Sequence, residues 1–128
     1  MSARILVIDD EPEIAAVLRD ILALEGHTVV IAESGRGGVA RALAEPFDLV
    51  LTDLGIPDLS GYEVVEQIHA ERPGLPIVLV TGWAASLDEE ETRSRSIAAL
   101  LHKPFEIDEV IRTTAEVLAR SCADVTRR

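Results

Sequence analysis

Five short apolar runs punctuate the chain: Ile5–Ile8, Val29–Ala32, Leu49–Leu51, Ile77–Val80 and Ala98–Leu101. Each is continuous rather than alternating, the pattern of strands covered on both faces of a parallel sheet. The segments between them carry helical periodicity. Ile14, Val17, Leu18 and Ile21 share one face, and Gly26 follows as a stop. Val39 and Leu43 mark a second helix, ended by Pro46. Ser60-Gly61-Tyr62-Glu63 reads as a capping box ahead of Val64, Val65 and Ile68, with Pro73-Gly74 closing that helix. Ile107, Val110, Ile111, Thr114 and Leu118 form one stripe of the last helix. Leu87 to Ser96, LDEEETRSRS, holds a single large apolar residue, so a solvated and loosely packed helix is expected there. Strand and helix alternate throughout, which predicts a doubly wound α/β sheet with helices on both faces.

The length of 128 residues suits one domain with a single proper core. That domain is expected to span residues 1–120, with 121–128 (SCADVTRR) as a frayed tail or linker stub. No apolar run approaches the roughly 18 residues needed to span a bilayer, and the start lacks a signal-peptide pattern, so a cytoplasmic protein is expected. The lone Cys122 cannot form an internal disulfide, which suits a reducing compartment. A formal charge of −11 argues against direct binding of nucleic acid or an anionic membrane and favours a soluble partner or a cation.

In open α/β sheets the ligand site lies beyond the carboxyl ends of the strands. The first run ends in Asp9-Asp10, the third in Asp53, the fourth in Thr81 and the fifth in His102-Lys103-Pro104. One rim therefore receives three carboxylates, a hydroxyl and an ammonium. Clustered carboxylates raise one another's pKa unless a cation holds them ionised, and Mg²⁺ suits such a set. A carboxylate can also attack phosphorus to give an acyl phosphate, whose equatorial oxygens need a metal, a Lys and hydroxyl or backbone donors.

ILVIDDEP, LVLTDLGIPDLSGYE, IVLVTG and LLHKPF, in this order and spacing, resemble the receiver domain of two-component response regulators, of the kind found in chemotaxis regulators. The resemblance implies a flavodoxin-like (βα)5 fold with a five-stranded parallel sheet of order 2-1-3-4-5. It implies that Asp53 accepts a phosphoryl group from a histidine kinase or a histidine phosphotransfer protein, in a switch rather than a metabolic enzyme. Asp10 and Asp53 would ligate Mg²⁺ directly, with the Gly55 carbonyl as a further ligand and Asp9 acting through water. Thr81 would contact a phosphoryl oxygen, Lys103 would pair with Asp53, and Pro104 would follow a cis peptide bond. An output protein or domain, or a second copy of the chain, would read the state of the site. Leu100 stands where the family usually carries an aromatic switch residue, Ile56 where Met is common, and Ser96-Ile97 where Gly-Ala is usual. Trp83, two residues past Thr81, would lie on the rim.

Each residue also has a plainer reading. Asp10 alone would cap the first helix, with Glu13 completing a capping box. Asp58 reads as a turn residue, and Glu11 as a solvent-facing acid at the helix start. SGRGG at Ser34–Gly38 lacks the Lys-Ser/Thr of a phosphate loop and reads as a Ser34 cap with flexible glycines. His27, His69 and His102 show no metal-ligand spacing. The competing function is a Mg²⁺-dependent phosphohydrolase with a first-strand Asp nucleophile; such enzymes favour Asp-x-Asp, whereas this chain has Asp9-Asp10-Glu11.

Overall fold

A computed structural model describes the backbone of residues 2–82 and 96–126, with side chains described up to residue 120. The helix expected from Leu87 lies outside these residues apart from Ser96, as does Trp83. The described elements run β1 (Arg4–Ile8), α1 (Pro12–Leu24), β2 (Thr28–Ala32), α2 (Gly35–Ala44), β3 (Leu49–Asp53), α3 (Gly61–Glu71), β4 (Ile77–Thr81), β5 (Ala99–His102) and α4 (Ile107–Thr126). All strand pairs are parallel and the sheet order is β2-β1-β3-β4-β5, as expected. The last helix runs on to Thr126, into the stretch read from sequence as a tail.

The continuity of the apolar runs has a direct cause. Successive strand residues point to opposite faces, and each face carries its own core. Leu6, Ile8, Val50 and Leu79 pack with Val64 and Ile68 of α3. Ile5, Val7, Leu49 and Leu51 pack with Leu18 and Leu22 of α1 and with Val110 and Val117 of α4.

Local signals close the helices as the chain chemistry dictates. Ser60 and Glu63 form both bonds of the capping box. Ser34 Oγ accepts the Gly37 amide at 3.0 Å. Gly26 takes φ +89, which a residue without Cβ adopts freely. The start of α1 departs from expectation. Its N-cap is Glu11, with no side-chain cap bond, so the Asp10–Glu13 capping box does not form. Pro12 occupies the first helical position, where its fixed φ and missing N–H are tolerated, and this sets the cap one residue later.

The register then delivers the polar residues. Ile8 pairs with Thr52, so Asp9 and Asp53 follow side by side at the point where the chain order reverses about β1. Asp53 pairs with Val80, and Thr81 with His102, which brings Thr81 and Lys103 to the same rim.

Candidate functional site

Asp9 directly follows β1 and is 1% exposed. Its Oδ1 accepts the Glu11 amide at 2.9 Å. Its Oδ2 is buried and has no hydrogen-bond partner among the described residues, with the Lys103 ammonium 3.6 Å away. Lys103 Nζ instead donates to Glu11 Oε1 and to Asp53 Oδ2, each at 3.3 Å. Asp53 ends β3 and is buried; its Oδ1 accepts the Gly55 amide at 3.3 Å. Asp10 is exposed beside them. Asp9, Asp10, Glu11 and Asp53 each offer an oxygen, and these oxygens lie within 4.8 Å of one another.

Lys103 is held from its own backbone. Its amide donates to the Thr81 carbonyl at 2.7 Å, and the Lys103–Pro104 peptide is cis. Thr81 ends β4 and is 2% exposed. Gly55 is exposed just beyond Asp53. Leu100 is half-buried in β5 against the core on the α2 and α3 side, an aliphatic side chain with no ring to swing.

The electrostatics follow from four clustered carboxylates, three of them beside the Lys103 ammonium. Burial pushes the Asp9 carboxyl above its ordinary 3.8; the Glu11 amide and Lys103 oppose this, while the charges of Asp53 and Glu11 reinforce it. Burial alone would lower Lys103, but the charges of Asp53 and Asp9 outweigh it and hold the ammonium above its ordinary 10.5. The cluster can coordinate a divalent metal. Its donors are all hard oxygens, the kind Mg²⁺ takes. The buried Oδ2 of Asp9, without a hydrogen-bond partner among the described residues, is a lone-pair site that a proton, a water or a cation can satisfy.

The structure thus brings Asp9, Asp10, Asp53, Thr81 and Lys103 to one rim, as read from sequence. It adds two acids whose roles were not legible there. Glu11 is exposed, yet it turns its carboxylate to Lys103; the run of three acids was its only signal. Asp58 does sit in a turn, but its carboxylate accepts the first two amides of α2.

Residues 5–115 match the family described as the response regulator receiver domain. The chain is 34% identical over 117 residues to the probable transcriptional regulatory protein TcrX of Mycobacterium tuberculosis, covering 91% of this chain and 50% of that protein. It is 31% identical over 116 residues to the response regulator ArlR of Staphylococcus epidermidis, covering 91% of this chain and 52% of that protein. The chain therefore spans about half the length of these curated relatives. Among solved structures, a CheY-like receiver domain protein from Methanospirillum hungatei superposes with a TM-score of 0.89 at 31% identity, covering 97% of this chain and 99% of that one. Chemotaxis regulator CheY4 of Vibrio cholerae gives 0.84 at 25% identity, covering 91% and 99%.

Proposed function

Because this chain belongs to the response regulator receiver family, we propose that Asp53 is its phosphoacceptor, charged by the phosphohistidine of a histidine kinase or a phosphotransfer protein. The observation that carries the assignment is the Asp53 carboxylate at the sheet's switch point, 3.3 Å from the Lys103 ammonium and inside the acidic cluster. A carboxylate oxygen of Asp53 attacks phosphorus, forming an O–P bond as the N–P bond to the donor imidazole breaks. The imidazole nitrogen leaves with the bonding pair. Lys103 is placed to hold charge on the transferring oxygens, and the Thr81 hydroxyl to contact one of them. Water later cleaves the acyl phosphate and restores the carboxylate.

Asp10, Asp53 and the Gly55 carbonyl would hold Mg²⁺, with Asp9 acting through a water. When bound, the ion supplies positive charge against the phosphoryl oxygens and offsets the mutual repulsion of the carboxylates. With Leu100 in place of an aromatic, the signal would leave by the loops or by repacking of the helix expected from Leu87. An output protein or domain, or a second copy of the chain, receives it.

Intact mass after incubation with Mg²⁺ and a small acyl phosphate tests the assignment. One phosphoryl group is expected on the parent chain and none on Asp53→Asn. Peptide mapping of the label to Asp9 would overturn it in favour of a first-strand nucleophile.

A further inference from the structure

We infer that Asp58 is a positioning residue for phosphoryl transfer, pinning the loop that follows Asp53 onto the N-terminus of α2 and thereby fixing where the Gly55 carbonyl sits. The inference rests on the reading of Asp53 as phosphoacceptor.

The loop from Leu54 to Ser60 joins β3 to α3. Its ends are held close to the sheet: the Leu54 amide donates to Val80 at 3.0 Å and the Gly61 amide to the Leu54 carbonyl at 2.8 Å. Its middle is held by Asp58. One carboxylate oxygen accepts the Gly35 amide at 2.9 Å, and the other accepts the Arg36 amide at 3.0 Å. These are two of the four donors that the start of a helix leaves unpaired. Ser34 Oγ satisfies a third, the Gly37 amide, and the Gly38 amide then makes the first regular helical bond, to the Ser34 carbonyl. The two amides, Arg36 first, hold the Asp58 carboxyl below its ordinary range, so the clamp stays charged in neutral solution.

The contact is sterically exact on the helix side. A Cβ on Gly35 would stand 2.7 Å from Leu59 Cβ, so a side chain there would push the loop away. The post to which the loop is tied is itself fixed. Gly38 lets the α2 backbone lie directly on Ile8, where a Cβ would come within 2.3 Å of Ile8 Cδ1. Ile8 immediately precedes Asp9. At the far end of α2, Arg72 of the α3 terminus donates to the Leu43 carbonyl at 3.1 Å. An anion at the start of α2 and a cation at its end both suit the helix dipole. Asp58 thus links the loop bearing Gly55, through α2, to the strand end bearing Asp9.

The test compares Asp58→Ala, Asp58→Asn and Ser34→Ala with the parent, reading Mg²⁺ affinity by calorimetry and the initial rate of acyl-phosphate labelling. Ser34→Ala removes a cap from the same helix without touching the loop. Asp58→Ala is expected to weaken Mg²⁺ binding and slow labelling by about 10-fold, the size of effect seen when a group supporting a metal ligand is lost. Asp58→Asn keeps one acceptor oxygen and should recover part of both. Ser34→Ala should lower the melting temperature and leave Mg²⁺ affinity unchanged. Unchanged affinity and labelling in folded Asp58→Ala would overturn the inference, as would an equal loss in Ser34→Ala. If the parent takes no label at Asp53, the phosphoacceptor reading fails, and the Mg²⁺ affinities alone still decide whether Asp58 positions the loop.

Discussion

Asp9 Oδ2 is where a single residue works against the fold. The oxygen is buried without a hydrogen-bond donor among the described residues, and a buried polar atom left unpaired costs about 1–3 kcal/mol. The raised carboxyl carries the same message: the folded chain holds that proton more tightly than the unfolded chain. Its contribution to stability is therefore present below the ordinary 3.8 and is lost as pH rises through the raised folded value. Asp9→Asn removes the charge and keeps an oxygen for the Glu11 amide. In EDTA it should stabilise the protein, by about 1 kcal/mol in urea titration. It should also lose most of the extra stability that Mg²⁺ gives the parent. A variant less stable than the parent in EDTA would mean that the ion pair with Lys103 outweighs desolvation. The site would then be satisfied without a metal.

At the scale of elements, the turn from α1 into β2 holds the start of β1 by one ring. His27 Nδ1 accepts the Ala3 amide at 3.0 Å, beside the Thr28 to Ala3 backbone bond at 2.9 Å. Only the neutral ring can accept there. Burial lowers the His27 pKa from its ordinary 6.5, against the nearby carboxylates of Glu25 and Asp48. On acidification the unfolded chain takes the proton first, so this bond's contribution is lost as pH falls from 6.5 towards the folded value. His27→Leu leaves the Ala3 amide without its acceptor and should cost about 1 kcal/mol at pH 7. Between pH 7 and pH 5, melting temperature should fall less in the variant than in the parent, and identical slopes would remove His27 from the account. The same turn shows what a sequence discloses. Gly26 announced the end of α1, Ser60 and Glu63 the start of α3, and the five apolar runs the strands, because these signals act over a few residues. The four strand ends converged on one rim for a related reason: parallel strands share a direction, so their last residues share an edge. The Asp10 cap failed because Pro12 set the helix start one residue later. Glu11 is exposed and Asp58 lies in the loop, as expected, but their partners, Lys103 and the first amides of α2, are brought near only by tertiary packing, and no spacing rule encodes that.

For the whole molecule the decisive quantity is charge. The chain carries −11, and the site gathers four carboxylates, three of them paired with one ammonium. Ordinary salt screens the diffuse repulsion with a Debye length of about 8 Å at physiological ionic strength, and it should stabilise the chain modestly whatever the site does. A cation bound at the rim acts differently. It binds the folded chain and finds no assembled site in the unfolded one, so stability rises as RT ln(1 + [L]/Kd), about 2.7 kcal/mol at 100 times Kd. At roughly 4 °C per kcal/mol for a domain of this size, that is a shift of about 10 °C. The experiment is a melting series in MgCl2 against NaCl at matched ionic strength, on the parent and on Asp53→Asn. The parent should rise steeply in MgCl2 and little in NaCl. Asp53→Asn should begin higher in EDTA, with one carboxylate charge removed, and respond less to MgCl2. Equal shifts in the two salts would reduce the acidic rim to one more patch of diffuse charge. A parent that rises in MgCl2 alone would establish that the cation completes the fold at the rim proposed to receive the phosphoryl group.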